Sequence, residues 1–196
     1  MSIWQGSIRQ RLKARSRARH EDTEALFWGE AGFANAAAYG RYLRAMVQVH
    51  GALGLAAAAL RGDLAETRHH RDALEALTCD LGGAPPVPTP RVLASESHAW
   101  GISYALLGSC LGAQVLARNL AMLPWGAEAP MGYLTHAGGF AKSGALKQFF
   151  TALEQADPDV DAATEGAHLV FDALSAAVTA DQMTARNAGK TGDMAR

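Results

Sequence analysis

Apolar residues recur along this chain at helical spacing. In residues 36–60, Tyr39, Leu43, Met46, Val47, Leu53, Ala57 and Leu60 fall near one face at intervals of three, four or seven, which predicts a long amphipathic helix. Residues 64–81 repeat the pattern with Leu74, Leu77 and Leu81, and Gly82-Gly83 supplies the stop. Residues 3–27 carry a weaker stripe of Ile8, Leu12, Ala18, Ala25 and Leu26, interleaved with Arg9, Arg11, Lys13, Arg15, Arg17 and Arg19. The period of two in those charges would suit a strand, but Arg, Lys and Ala favour helix, so a first helix is expected up to a break at residues 29–32.

After a proline-rich stretch at residues 85–90, read as a linker or an ordered crossover, Ser95 is placed to cap a fourth helix that runs to about residue 122, before Pro124. Two or three shorter helices follow. Asp157-Pro158 reads as an N-cap with proline at the first helical position of a last helix reaching about residue 178. Residues 187–196 read as a disordered tail, which leaves one all-α domain over residues 1–186.

Composition supports that reading and narrows the partners. The chain has 196 residues, 49% of them apolar, enough for one core. A formal net charge of -1 provides no field to recruit nucleic acid or an anionic membrane, so neither is an expected partner. Cys79 and Cys110 show no CxxC spacing, and no secretory start precedes the first helix, so free thiols and a cytoplasmic location are expected.

The fourth helix is the most informative. Residues 99–117 carry no charge, but Gly101, Ser103, Gly108, Ser109, Gly112 and Gln114 dilute the run, so it reads as a buried central helix and not as a membrane span. Gly108 and Gly112 stand about 6 Å apart along a helix axis and bare the backbone there. Each interior glycine costs roughly 1 kcal/mol relative to alanine, so the pair implies close approach, either by another helix or by a planar ligand.

The segment Trp100-Gly101-Ile102-Ser103-Tyr104-Ala105-Leu106-Leu107-Gly108-Ser109-Cys110-Leu111-Gly112 resembles the distal-helix signature of bacterial haem oxygenases, in which the helix kinks at its glycines over the haem face. Leu12, Lys13, His20 and Glu24 are similar to the family's first-helix pattern. Tyr39 with Leu43, the series Arg71, Leu74, Leu77 and Asp80, and Ala167 with Phe171 extend the resemblance over about residues 12–174. It implies a haem oxygenase-like helical bundle with His20 as axial iron ligand and Glu24 and Tyr104 beside the haem. Gly108, Ser109 and Gly112 would form the reactive face. Lys13, two turns before His20 on the same face, would reach a haem propionate, whereas most of the other basic residues read as a solvated face.

The implied reaction opens haem, at once substrate and cofactor, to biliverdin with release of carbon monoxide and iron. Dioxygen and electrons from a ferredoxin, flavodoxin or reductase drive it. Three positions depart from the family pattern: Leu107 where an acidic residue is common, Leu146 where tryptophan is common, and Thr151 near a propionate-binding arginine. A haem- or bilin-binding module without turnover is therefore an alternative. Another is a non-haem (di-)iron oxidase, because Glu66-x-x-His69 and Glu165-x-x-His168 both have the spacing of di-iron bundles. Against it, residues 66–72 are dense with charge and read as solvated, and further core glutamates are not apparent.

Overall fold

The computed structural model describes the backbone of residues 6–28 and 33–193, and the side chains of that set apart from residue 28 and residues 180–193. The chain is all-α, with no strand among the described residues. The start of the first expected helix, the 29–32 break and residues 194–196 lie outside the described set.

Helix α1 (Ile8–Trp28) buries Ile8, Leu12, Ser16, Thr23 and Phe27 rather than the stripe expected from Ala18, Ala25 and Leu26, and Leu26 is exposed. Two buried positions are polar, and each is satisfied locally: the Ser16 hydroxyl donates to the Leu12 carbonyl and the Thr23 hydroxyl to that of Arg19, both at 2.8 Å. The arginines are more than a solvated face. Arg11, Arg15 and Arg19, spaced one turn apart, pair with Asp157, Asp161 and Asp172, so α1 lies parallel to α9 (Val160–Asp193).

Residues 36–60 form one continuous helical rod, as their periodicity predicts, but its middle is wider. Between α2 (Ala36–Val49) and α3 (Leu55–Leu60), residues His50–Gly54 adopt a π-helical turn. A π turn frees backbone groups from the α ladder. Here the Ala52 carbonyl accepts from the Arg91 amide at 2.8 Å, which ties down the 85–93 crossover. Gly51 makes the docking possible, since a Cβ there would stand 2.8 Å from Val87 and 2.9 Å from Pro88. Helix α4 (Leu64–Asp80) is capped by Asp63 and closed by Gly82 at φ 69°, matching the expected stop.

Ser95 caps α5 (Glu96–Ser109) as its sequence suggests, accepting from the His98 amide. The helix does not continue to residue 122. It ends at Ser109, residues 110–112 form a turn, and α6 (Ala113–Ala121) begins beyond it. The close backbone approach expected of the glycines falls elsewhere on the same helix. A Cβ on Gly101 would lie 1.7 Å from the Ala163 carbonyl oxygen of α9, and one on Gly166 would lie 2.1 Å from the His98 carbonyl oxygen of α5. These reciprocal contacts set α5 antiparallel to α9, with α7 (Gly132–Lys142) and α8 (Ala145–Ala156) completing the bundle. The cap at the last turn also moves: Asp157 ends α8 in the left-handed region at φ 35°, and Asp159 caps α9 by accepting from the Ala162 amide at 2.8 Å. Helix α9 continues through Asp193, across residues read from the sequence as tail.

The rods Ala36–Leu60 and Glu96–Ala121 are long and apolar enough to cross a membrane, and both are more than half buried inside the bundle. Their apolar faces meet α9, α4 and α7 in the main core. A smaller apolar cluster joins Ile8 and Leu12 to Leu107, Leu146, Phe149 and Leu153.

Gly101→Ala and Gly166→Ala should each destabilise the fold by at least about 1–3 kcal/mol, the usual cost of overpacking, because backbone rather than a flexible side chain blocks the added methyl. Gly108→Ala, whose Cβ would meet nothing within 4 Å, should not. Urea unfolding of the three variants checks this contrast.

Candidate functional site

Polar side chains are rarely buried without partners. In α4 the inward stripe reads Glu66, His69, His70, Ala73 and Leu77, all buried. The segment read from the sequence as solvated is therefore the polar heart of the bundle. Its outward positions alone, Arg68, Arg71 and Asp72, meet solvent. Facing the stripe are His50 at the start of the π turn, Ser103 and Cys110 from the α5 side, and Tyr133 and His136 from α7.

The distances form a continuous chain. His50 Nε2 lies 3.1 Å from the Tyr133 hydroxyl, His50 Nδ1 lies 2.9 Å from His70 Nδ1, and His70 Nε2 lies 3.3 Å from Glu66 Oε1. One proton per imidazole satisfies the chain in one direction: Tyr133 donates to His50, His50 to His70, and His70 to the carboxylate. Glu66 also accepts from the Ser103 hydroxyl at 2.5 Å and pairs with Arg61. The Arg61 guanidinium lies 4.0 Å over the Trp100 ring, and its Nε is buried without a hydrogen-bond partner. A second branch runs outward, with His69 Nδ1 3.1 Å from His136 Nε2 and His69 Nε2 3.9 Å from the Cys110 sulfur. His136 is only partly buried, so this branch leads toward solvent.

Local structure places each member. Gly54, the last residue of the π turn, admits the His70 ring, which a Cβ there would approach to 2.8 Å. The Asp80 carboxylate accepts from the Gly132 and Tyr133 amides at 3.0 and 2.8 Å, fixing the start of α7 and with it the Tyr133 side chain. Burial dominates the electrostatics. It pushes the His69 and His70 imidazoles down to about 3 and that of His50 well below the ordinary value, with neighbouring imidazoles adding to the effect at His50 and His69. The cluster is thus uncharged at neutral pH, while the Cys110 thiol is pushed up to about 12. Neutral imidazole nitrogens at this density suit proton transfer or metal ligation.

The residues singled out from the sequence lie elsewhere. His20 is half exposed on α1; its Nδ1 stands 3.6 Å from Glu24 Oε2 and its ring meets Phe171 edge-on at 5.7 Å. Lys13 is exposed. Tyr104 is partly buried and its hydroxyl interacts with Ser16, one turn before His20. Gly108 faces open space, Gly112 lies in the 110–112 turn, and the Ser109 hydroxyl donates to the Leu106 carbonyl at 2.7 Å. Among the described residues no hydrogen bond, ion pair or ring contact joins His20 to Gly108, Ser109 or Gly112. Two surface grooves of about 510 and 600 Å³ lie against the proline-rich crossover, away from all of these positions.

Of the three departures from the family pattern, Leu107 and Leu146 are buried in the smaller apolar cluster, and Thr151 is exposed with its hydroxyl on the Lys147 carbonyl. Of the two carboxylate and histidine pairs, the first is buried, but Glu165 is exposed against His98, and His168 reaches the Arg15 carbonyl. The pairs do not converge on one site. No protein-family model matches the chain, and no curated protein sequence matches it significantly.

Sequence reasoning missed His50, His70, Tyr133 and His136. A signal was present: His50 falls on the apolar face defined by Leu43, Met46, Val47 and Leu53, where a solvated histidine has no place.

Two outcomes follow from this geometry. A buried base with a depressed folded-state value binds fewer protons folded than unfolded. Stability is thus complete above about pH 6.5 and falls as pH drops below it, by roughly 1 kcal/mol per pH unit for each histidine, until the folded values near 3 are approached. Urea midpoints measured from pH 7 to 4.5 should decline steeply. Arg61→Met should cost about 3–5 kcal/mol in the same assay, since Glu66 would remain buried without its counter-charge.

Proposed function

We propose that this protein binds haem between α1 and α5 and opens it oxidatively to biliverdin, with His20 as the iron ligand and electrons delivered by an external donor. The observation that carries the reading is the break of the α5–α6 rod at residues 110–112, directly after Gly108 and Ser109, where the resembling signature has its kink. The half-exposed His20 on the first helix supports it.

The residues present suit such a ligand. Glu24 stands 3.6 Å from Nδ1 of His20, which leaves Nε2 on the far side of the ring as the nitrogen that would meet iron. Phe171 packs its ring against the imidazole and limits rotation. Gly108 leaves backbone bare where a flat ring system needs clearance. The Ser109 hydroxyl donates inward to Leu106, so its lone pairs accept from water on the open side. Lys13, exposed two turns before His20, supplies a cation for a propionate. Bound haem supplies the iron that activates dioxygen and the ring that is cleaved. The protein contributes position and selective hydration.

Entry requires movement. Tyr104 meets Ser16 between the two antiparallel walls, with His20 and Gly108 one turn to opposite sides of that contact and about 12 Å apart along the axes, so the contact has to part and α1 has to slide for both to face one ring system. Ion pairs to α9 and the burial of Ile8, Leu12 and Phe27 in the two apolar clusters hold α1, so haem entry has to displace buried contacts as well as surface pairs.

Haemin titration should give a saturable Soret band in the wild type. The band should weaken or shift in His20→Ala, whose exposed site leaves folding intact. Addition of a ferredoxin or flavodoxin reducing system in air should replace it with broad biliverdin absorption. Haem binding without that change would reduce the reading to a binding module, and absence of a saturable Soret band would overturn it.

A further inference from the structure

We infer that the buried His50, His69 and His70 form a binding site for one divalent first-row transition ion, such as Zn²⁺ or Fe²⁺, separate from the proposed haem groove. Each histidine offers one ring nitrogen, and the three atoms lie within 4.8 Å of one another. All three side chains come from the bundle interior, on two elements with fixed backbones: the π turn and the middle of α4.

The outer partners are those of a metal centre. Ligating histidines usually donate their second ring nitrogen to a carboxylate or another acceptor, which fixes the tautomer and aims the first. His70 Nε2 faces Glu66 Oε1 and His50 Nε2 faces the Tyr133 hydroxyl, so the Nδ1 atoms of both rings are aimed at each other, 2.9 Å apart. Two nitrogens bound about 2.0–2.1 Å from a tetrahedral ion stand about 3.3 Å apart, so the two atoms have to separate by about 0.4 Å and each ring has to tilt until its lone pair meets the ion instead of the other ring. Arg61 and Ser103 hold Glu66 while they do so.

Proton accounting is simple. Without an ion, the His50 proton sits on Nδ1 and points at His70. With an ion it moves to Nε2 and is donated to the Tyr133 oxygen, whose own hydrogen turns to the neighbouring Tyr42 hydroxyl. No charge leaves the protein from these two rings. His69 completes the set, and its partly exposed neighbour His136, 3.1 Å away, marks the route from solvent. Gly54 and the π turn are the structural devices that admit His70: an alanine at position 54 would strike the imidazole at 2.8 Å.

The test uses the full chain freed of metal with a chelator, in the absence of haem. Zn²⁺ competition against a chromogenic chelator should show one tight site per chain, and Co²⁺ should give tetrahedral or five-coordinate absorption bands. X-ray absorption at the zinc edge of the wild type should count three imidazoles, a readout that needs no variant. His50→Gln and His70→Gln should each weaken Zn²⁺ by more than the roughly 10–100-fold typical of losing an outer partner. The surface variant His168→Ala should bind as wild type. The inference is overturned by absence of a micromolar or tighter site, by fewer than three imidazoles at the edge, or by a site that survives both His50→Gln and His70→Gln. Haemin titration reads His20 independently, so the two proposals fail separately.

Discussion

Helix α5 lies on α9 backbone to backbone, with Gly101 against the Ala163 carbonyl and Gly166 against that of His98. No side chain intervenes at either point, so the separation of the two axes is set by main-chain contact alone. That separation fixes the inner face of α5, from which Ser103 reaches Glu66. It also fixes α9 as the rail along which Arg15 and Arg19 find their acids. An alanine at either glycine would lift α5 away, separating Ser103 from Glu66 and disturbing the buried cluster from a distance.

The bundle consequently holds two unlike polar regions. The inner one is a buried chain of Tyr133, His50, His70 and Glu66, whose members satisfy one another and whose charge is confined to the Glu66 and Arg61 pair. The outer one comprises His20, Glu24 and Lys13 on α1, all exposed to solvent and apart from the glycine segment after Leu107. Burial removes protons from the first set. The second keeps its polar side chains in contact with solvent.

Much of the fold is legible in the sequence. The helical periods of residues 36–60 and 64–81, the Gly82 stop and the Ser95 cap all stand, because local propensity, capping and burial agree there. Where they disagreed the reading slipped. Ser16 and Thr23 are polar yet buried, since each returns its hydroxyl to its own helix, and so the α1 stripe was misplaced. Residues 66–72 look solvated because charge density hides a period of inward positions, and Glu66 is tolerable inside only because Arg61, Ser103 and His70 converge on it from three places in the chain. The π turn, which brings His50 into register with His70, has no local signature apart from its two glycines. Gly101 and Gly166 could not be told from Gly108 and Gly112 by spacing, because what separates them is the helix each one faces.

The division of the histidines into a buried neutral set and an outer set is the central claim. Long-range proton–nitrogen NMR of the imidazole rings, followed from pH 8 to 5, tests it most directly. The account predicts that His50, His69 and His70 remain neutral throughout, each in a single tautomer, with His70 carrying its proton on Nε2. A midpoint near the ordinary histidine value of about 6.5 for any of the three would contradict it.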